Sequence, residues 1–479
     1  MEDRFALKKK ELQFLAGEYK KHPGLFVQKT NEEDQALLET LGIRIPWKEN
    51  LPKGYVKFTP FDFIVEEIGA DGTVYTIEKE NTVSPSQNLE KAPTYYATLV
   101  KCAIQTEEAL KDITLQLGCP RDAIQYSGIK DKDAVTSQRI SLRGVDQERL
   151  KNISSKFFFL KDIQPGKGVL SKGTLKGNRF TIFIRTRGHV ADSSGVDAFK
   201  GALDLVEKNG IYNFYYLQRF GTPRLVNFHW GYQILKGDYK KAVTDTFTQP
   251  TGRELPYLEQ TRNKIGLLIP DWAAVLELIR PLPLIFAAES KMAEYLLKNP
   301  DDYLGALKQI PEQVTLWIYA LSSLLFNEKI SSYVGNQKEP PKTLPLLLSN
   351  DSHDIEIYKN FLEMIDIYPP PFKNLRPFPN IRLMKREVET RVKVSIHSAE
   401  ITPHGVALKF DLDKGQYATT FLAHLFTLLN GMPPENIYGG EVSTQEILKQ
   451  TPSSATFAHF KDVAHTKSEN LFDGLLNEV

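Results

Sequence analysis

The chain has 479 residues, of which 41% are hydrophobic and 25% are charged, and its formal net charge is +1. A chain of this length usually forms two or three domains, and this composition is typical of a globular protein. Apolar runs stay far below the roughly 18 residues of a membrane span, and the charged N-terminus lacks the apolar segment of a secretory signal. We therefore expect no membrane span and a cytoplasmic location.

The first half of the chain mixes strand and helix patterns. Residues 1–48 contain two segments with helical apolar spacing and predict a helical N-terminal extension. Alternating apolar residues in 56–68, 94–103, 124–143 and 178–188 predict strands, and 106–118 predicts a helix that ends at Gly118. Because strands and helices do not alternate strictly, the order favours an α+β fold over a doubly wound sheet.

The second half is mainly helical from Gly221 to a proline-rich break near 368–380, after which strands and a helix over 414–431 are predicted. The segment 336–354 is rich in proline and polar residues and predicts a loop or lid, and the tail from about residue 436 shows little pattern. This order predicts a helical insertion within one body. We expect four segments: an N-terminal extension (1–48), the first part of the body (49–224), a helix-rich insertion (225–385) and the second part of the body (386–479).

Several common site patterns are absent. The two cysteines, Cys102 and Cys119, match neither a redox pair nor a metal knuckle, and the nine histidines are scattered, so we expect no metal. The loop 165–174 has the G-x-x-x-x-G spacing of a phosphate loop from Gly168 to Gly173, but Thr174 stands where that loop needs lysine. This mismatch makes a phosphate-handling enzyme a poor alternative.

Residues Arg121 to Arg187 contain 15 Lys and Arg against six Asp and Glu. Such a local excess is compatible with a phosphate-binding face and equally with a solvated basic surface. Within it, "GIKDKD" places Asp131 between two lysines. Its residues are favoured in solvated turns. The alternative is functional, because an ionised aspartate in a basic groove suits a nucleophile or base acting on a polyanion, while Lys130 helps to recruit a phosphodiester.

Six segments, in chain order, resemble motifs of the TruD family of pseudouridine synthases, and the resemblance covers roughly residues 50 to 430. The segments are "VKFTPFDFIVEEI", "YSGIKDKDAVTSQRISL", "GTLKGNRFTIFIR", "GIYNFYYLQRFG", "WIYALSSLLFNEKI" and "KGQYATTFLAHLF". The resemblance implies a pseudouridine-synthase-type mixed, mainly antiparallel sheet flanked by helices, with an inserted, mostly helical TRUD-type domain. The body of the chain would then be the catalytic domain.

The resemblance also implies an activity. The family isomerises a uridine of tRNA without a cofactor, at position 13 in its bacterial members, and some relatives act on other RNA. The base leaves C1′, turns, and is rejoined through C5, which requires the target nucleotide to leave its stack at a cost of a few kcal/mol. We expect tRNA as the partner and a monomeric protein. The alternative is a catalytically silent RNA-binding or RNA-folding protein on the same scaffold.

Residue roles follow from the matching positions. Asp131 would be the essential carboxylate, either attacking C1′ or promoting loss of the C2′ proton, and Lys57 would lie near it. Asn213 would position Asp131 or the ribose, and Tyr215 would stack on the target base. Further substrate-binding candidates are Lys130, Gln218, Arg219 and Phe220.

Three residues depart from the family pattern, and one of them is Gln416, which stands where the family has serine. The family usually has phenylalanine where Tyr215 stands and glycine where Tyr216 stands. The hydroxyl of Tyr215 could act as a base, as a pocket tyrosine does in other pseudouridine synthases. Tyr216 needs space that a glycine would leave empty.

Overall fold

A mixed sheet of eleven strands forms the centre of the computed structural model, which describes residues 4–79, 93–186 and 193–467. The strands of the chain are β1 (Thr30–Glu32), β2 (Lys53–Tyr55), β3 (Phe63–Gly69), β4 (Thr94–Cys102), β5 (Ile124–Tyr126), β6 (Val135–Arg143), β7 (Phe158–Gly166), β8 (Leu175–Thr186), β9 (Ile211–Tyr212), β10 (Thr343–Pro345), β11 (Glu387–Glu389), β12 (Arg391–Val392), β13 (Ser395–Thr402), β14 (Gly405–Asp413) and β15 (Thr427–Gly431). The two short pairs β10–β11 and β9–β12 lie outside the large sheet.

Helices cover the sheet and build most of the middle of the chain. They are α1 (Arg4–Lys21), α2 (Gln35–Thr40), α3 (Thr106–Leu117), α4 (Gln147–Lys151), α5 (Ser193–Asn209), α6 (Asn227–Lys236), α7 (Tyr239–Thr248), α8 (Pro256–Leu268), α9 (Trp272–Ile279), α10 (Ala287–Lys298), α11 (Tyr303–Leu307), α12 (Pro311–Gly335), α13 (Ser352–Met364), α14 (Ala418–Ala423), α15 (Thr444–Ile447) and α16 (Ser454–Phe460). Helices α6 to α13 follow one another with one short strand between them, which agrees with the predicted helix-rich insertion.

The large sheet is mainly antiparallel. Its main path runs β1-β15-β2-β8-β3-β6-β4-β7, with β14 on β8, β13 on β14 and β5 on β6. Only β3–β6 and β2–β15 are parallel among the strand pairs of the described residues. This mixed sheet with flanking helices confirms the predicted α+β class.

Local patterns account for the central strands. In β4, Tyr95, Ala97 and Leu99 point to one apolar cluster, and the alternate residues Val100 and Cys102 point to another on the opposite face. Because both faces are covered, the strand is buried along nearly all of its length. The predicted strands near 94–103 and 178–188 are therefore confirmed.

Close packing of two helices fixes the insertion. A Cβ on Gly231 of α6 would lie 2.3 Å from the carbonyl oxygen of Trp317 in α12, so only glycine permits this approach. Helix α12 also buries Ile318 and Phe326 completely. The four-segment division of the chain remains a prediction, with which this packing is compatible.

The N-terminal prediction is partly wrong. Helices form over α1 and α2, but Thr30–Glu32 is a strand that pairs with β15 at the edge of the sheet. Apolar periodicity could not reveal this strand, because its three residues are polar and its partner lies about 400 positions later.

Two further expectations are wrong in part. Within 336–354, Leu344 and Leu346 are buried and β10 pairs with β11, so this segment is part of the packed insertion and not a lid. The helix predicted within 414–431 ends at Ala423, and Thr427–Gly431 forms β15. A short apolar run does not distinguish a buried strand from a buried helix, which explains the second error.

The tail contributes to the core, although its sequence predicts little structure. Phe460 of α16 is fully buried and stacks on Phe159 of β7 with ring centroids 5.7 Å apart. In the part of the chain that the structure describes, every helix is too short or too polar to cross a lipid bilayer.

Candidate active site

A polar gap lies at the middle of one sheet face, between two apolar clusters. On β6, Thr136 pairs with Val65 of β3 and with Lys101 of β4, so these three side chains share a face. On the same face, Val65 belongs to the large apolar cluster and Leu99 of β4 to a second one. Four polar residues at inward positions define this central polar gap: Glu67, Lys101, Thr136 and Gln138.

The loop between β5 and β6 carries Asp131 over this gap. The Asp131 side chain is 42% exposed, and Lys57 Nζ lies 3.3 Å from its Oδ2. Lys57 has a φ of 61°, in a region that non-glycine residues rarely adopt and that often marks functional sites. Its ammonium also lies 4.3 Å from the ring centre of Phe63. The family resemblance predicts that Lys57 lies near Asp131, and the two side chains are in contact.

Lys101 holds the backbone of this loop. Its side chain is fully buried, and its Nζ donates hydrogen bonds to the carbonyl oxygens of Asp131 at 2.6 Å, Ile104 at 3.0 Å and Lys130 at 3.4 Å. The pKa of Lys101 is lowered to about 8, mainly by burial. The charges of Asp131 and Cys102 oppose this shift, and those of Lys130 and Lys57 add to it. Three carbonyl groups of this loop and its neighbour therefore depend on one ammonium.

Two neutral side chains complete the support of the loop. Thr106 Oγ1 accepts a hydrogen bond from the Lys130 N–H at 3.1 Å, and Gln138 Nε2 donates one to the Gly128 carbonyl at 2.9 Å. Both side chains are fully buried. Buried polar networks of this kind fix a unique geometry when all their members are paired, so the backbone of Asp131 is rigidly placed while its carboxylate stays accessible.

Lys130 points into the protein, which corrects its assignment as a substrate contact. Its Nζ lies 2.6 Å from Glu67 Oε2, and the two side chains are only 4% and 1% exposed. Glu67 also accepts a hydrogen bond from the Arg139 N–H at 3.2 Å. A phosphodiester cannot reach an ammonium in this position, so Lys130 supports the loop instead.

Tyr215 and Arg219 form a second group of site residues. The Arg219 guanidinium lies 4.8 Å from the ring centre of Tyr215, and its Nη2 donates to the Tyr417 hydroxyl at 3.2 Å. The ring of Phe326 meets Tyr215 edge-on with centroids 5.5 Å apart. Arg386 Nη2 donates to the Tyr215 hydroxyl at 3.2 Å. One face of the Tyr215 ring is thus occupied by Arg219.

The pKa of Tyr215 argues against its hydroxyl as a base. Burial raises this pKa, although the charges of Arg386 and Arg219 oppose the shift. A phenol with a raised pKa remains protonated at neutral pH. The hydroxyl is therefore better suited to hydrogen bonding than to proton removal.

Asn213 turns its amide towards the end of β11. Asn213 Nδ2 donates to the Glu389 carbonyl at 2.8 Å, and its backbone N–H donates to the Thr390 carbonyl at 2.9 Å. Within residues 4–79, 93–186 and 193–467, no hydrogen bond joins Asn213 to Asp131. A contact of Asn213 with the ribose remains a prediction.

Gln218 and Phe220 have opposite environments. Gln218 is exposed. Phe220 is fully buried and packs against Phe228 with centroids 5.9 Å apart. The assignment of Phe220 as a substrate contact is therefore wrong, because its ring belongs to the core.

Tyr216 fills its space by meeting the N-terminal extension. Its hydroxyl donates to Glu33 Oε2, and Asn430 Nδ2 donates to Glu33 Oε1 at 3.3 Å. Burial raises the pKa of Glu33 to about 7, with the Tyr216 hydrogen bond opposing the shift. Tyr216, which stands where the family usually has glycine, thus has its hydrogen-bond partner in the N-terminal extension.

The sequence model of the family "tRNA pseudouridine synthase D (TruD)" matches residues 47–342, more than half of the chain. The chain belongs to the TruD family. This confirms the resemblance inferred from the six motifs and places the protein among the tRNA pseudouridine synthases.

Archaeal proteins named as tRNA pseudouridine synthases D are similar over most of this TruD-family chain. The one from Methanocaldococcus jannaschii is 28% identical over 383 residues, which cover 77% of this chain and 94% of the relative. The one from Methanopyrus kandleri is 28% identical over 339 residues, which cover 67% of this chain and 82% of the relative. A crystal structure of a TruD protein from Methanosarcina mazei has a TM-score of 0.63 and 21% identity and covers 81% and 97% of the two chains. That structure supports the same fold.

Sequence analysis did not identify the buried residues that support the Asp131 loop. Lys101 is in phase with the inward-facing Ala97 and Leu99 of β4, and Gln138 is in phase with Ile140 of β6. A lysine and a glutamine at buried positions of otherwise apolar strand faces were the signal that could have found them.

The basic stretch of this TruD-family chain divides into two sets. Arg185 is buried in an ion pair with Asp62 at 2.7 Å, and Arg179 pairs with Asp411 at 2.8 Å. Both are structural. The exposed lysines of the stretch include Lys132, Lys156, Lys167, Lys172 and Lys176. In the described residues, no group of three His, Cys, Asp or Glu side chains is arranged to hold a metal ion.

Proposed function

We propose that the chain isomerises one uridine of tRNA, at position 13, to pseudouridine, with Asp131 as the essential carboxylate and the target base extruded from its stack. The observation that carries this is the placement of Asp131: its carboxylate is accessible and paired with Lys57, while its backbone is fixed by the buried Lys101. Isomerisation breaks the C1′–N1 bond, forms the C1′–C5 bond and moves a proton from C5 to N1. The atoms and electrons balance without a cofactor.

The Asp131 carboxylate acts at the ribose, either at C1′ or on the C2′ proton, and both routes need it close to the sugar. Lys57 offsets the charge of the carboxylate where the RNA phosphates would otherwise repel it. The loop holds its geometry through the buried network, so the carboxylate needs no rearrangement before reaction. Asn213 would contact the ribose from the other side of the site.

The extruded uracil would stack on Tyr215 in the place that Arg219 now occupies. This requires the Arg219 side chain to move aside, which breaks its 3.2 Å hydrogen bond to Tyr417. The Tyr215 hydroxyl would hydrogen-bond the base and remain protonated. Stacking on an aromatic ring contributes about 1–3 kcal/mol per base, which offsets part of the cost of extrusion.

Release of tritium from tRNA labelled at uridine C5 tests this proposal. We expect the protein to release tritium up to a fixed fraction of the label, and a tRNA with cytidine at position 13 to release none. Release from both RNAs would contradict the choice of position. Binding of tRNA without release from either would favour the silent RNA-binding alternative.

Replacing Lys101 by methionine should lower the single-turnover rate about 10- to 100-fold with little change in tRNA affinity. The ammonium touches no substrate, but without it the carbonyl groups of Ile104, Lys130 and Asp131 lose their donor and the carboxylate loses its fixed position. Single-turnover kinetics at saturating tRNA, together with a binding assay, would separate the two effects.

The pH dependence provides the control for Lys101. Its pKa of about 8 means that the ammonium form dominates below pH 8 and the neutral amine above it, and the amine has only two N–H donors for three carbonyl groups. The rate of the unaltered protein should therefore fall as pH rises through 8. Lys101→Arg, which stays charged, should lack this decline. The same decline in Lys101→Arg would show that another group titrates.

A further inference from the structure

The loop that connects β7 to β8, residues 167–174, joins two strands that do not pair, and its end contacts the start of the loop that carries Asp131. The Gly173 N–H donates to the Ser127 carbonyl at 2.7 Å, and Ser127 Oγ lies 3.2 Å from Thr174 Oγ1. A Cβ on Gly128 would lie 3.8 Å from the Leu175 side chain. Because Ser127 and Gly128 begin the Asp131 loop, the end of the β7–β8 loop forms one rim of the site.

The β7–β8 loop is anchored to the sheet along its length. The Tyr96 hydroxyl of β4 donates to the Lys167 carbonyl at 2.7 Å. Ser141 Oγ of β6 accepts a hydrogen bond from the Leu170 N–H at 3.0 Å. Lys414, just after β14, donates from Nζ to the Gly173 carbonyl at 2.8 Å. Tyr96 and Ser141 are out of phase with Leu99 and Gln138, so the first part of the loop crosses the opposite face of the sheet, and only its end, at Gly173, reaches the Asp131 loop.

The rim is strongly basic. The sequence has no Asp or Glu between Asp162 and Asp192, and Lys167, Lys172 and Lys176 within that interval are all exposed. Lys414 adds a fourth exposed ammonium. The net charge of the whole chain, +1, does not reveal this local concentration of lysines.

The acidic groups near this rim do not cancel its charge. Glu107 is bound by Arg121 Nη2 at 2.7 Å and by the Tyr126 hydroxyl. Burial tends to raise the pKa of Glu107, but these hydrogen bonds and the charges of Arg121 and Lys172 lower it overall. Asp413 is the exposed neighbour of Lys414. The lysines therefore remain in excess.

Two exposed apolar side chains lie among these lysines. Ile129, two positions before Asp131, is 72% exposed, and Val169 in the β7–β8 loop is 45% exposed. Water-exposed apolar groups flanked by ammonium groups suit a nucleic acid, whose sugars and bases offer apolar surface between phosphates. They fit an acidic protein surface less well, since such a surface would leave both apolar groups hydrated.

We propose that Lys172, Lys176 and Lys414, at the end of the β7–β8 loop, bind RNA phosphates that flank the target nucleotide, with Ile129 against the neighbouring sugars or bases. The inference rests on the proposed function and adds to it the surface by which the RNA is held at the site. Phosphate contacts fix register and carry no sequence information. The loop thus serves binding and positioning of the RNA backbone, and takes no part in bond breaking.

The double variant Lys172→Gln/Lys176→Gln tests this inference in the full-length protein. We expect its dissociation constant for tRNA to rise about tenfold at physiological salt, and the slope of log Kd against log salt to fall in magnitude by about 1.5, because roughly two phosphate contacts are lost. The single-turnover rate at saturating tRNA should stay within about twofold of the unaltered protein, since neither lysine takes part in the chemistry.

The double variant Lys449→Gln/Lys461→Gln is the matched control. These exposed lysines adjoin α15 and α16, which pack on the opposite face of the sheet. An equal loss of affinity in both double variants would overturn the inference, as would an unchanged salt slope in the rim variant. Unaltered protein that neither binds nor modifies tRNA would instead refute the proposed function, and the inference with it.

Discussion

Asp131→Asn should lower the rate of uridine isomerisation at least about 10³-fold while leaving tRNA affinity nearly unchanged. Asparagine has the same shape but can neither attack the sugar nor accept a proton from it. The substitution should not disturb the loop, because Lys101 binds the backbone carbonyl of Asp131 and not its carboxylate. Tritium release and a binding assay on the same protein would measure both effects.

Asp133→Asn is the matched control for this substitution. Asp133 is also exposed, but its Oδ2 lies 3.4 Å from the Lys467 ammonium and it has no contact with Lys57. We expect it to keep nearly full activity. If Asp131→Asn retained more than about a tenth of the unaltered rate, the carboxylate would not be essential and the proposed chemistry would fail.

Lys130→Met should destabilise the protein by about 3–5 kcal/mol, because it leaves the Glu67 carboxylate buried without its cation. The Lys130–Glu67 pair is almost fully buried, with 2.6 Å between Nζ and Oε2. Adding Glu67→Gln should recover much of the loss, since the neutral amide can still accept the Arg139 N–H. Thermal unfolding of the single and double variants would measure the coupling between the two positions.

Lys241→Met provides the comparison for this pair. Lys241 and Asp245 lie 3.0 Å apart on α7, and the lysine side chain is 52% exposed. We expect a loss below about 1 kcal/mol, as for most exposed ion pairs. Equal effects of Lys130→Met and Lys241→Met would contradict the structural role assigned to Lys130.

The contact between Asp131 and Lys57 could be predicted from the sequence because both residues belong to family motifs. Alternating apolar residues also located the central strands, because burial on one face leaves a period of two. The burial of Lys130 could not be predicted in this way. Its loop is irregular, so strand alternation does not decide which side chains point inward.

Contacts between distant segments set the limit of prediction from local patterns. The support of the Asp131 loop joins β4, α3 and β6, and nothing in the segment "GIKDKD" indicates that Lys101 lies beneath it. The partner of Tyr216 is a glutamate 183 positions earlier. Periodicity describes which residues are buried, but the identity of a buried polar partner depends on the tertiary fold.

The hydrogen bond from Tyr216 to Glu33 ties the N-terminal segment to the rest of the fold. The family match begins at residue 47, yet Glu33 and the edge strand β1 precede it. Removing the residues before this boundary would leave the buried Tyr216 hydroxyl without its hydrogen-bond partner. It would also expose the edge of β15, whose backbone could then pair with other molecules. A chain that begins at residue 47 is therefore expected to be less stable and more prone to aggregate, so the leading segment belongs to the same folding unit as the sheet.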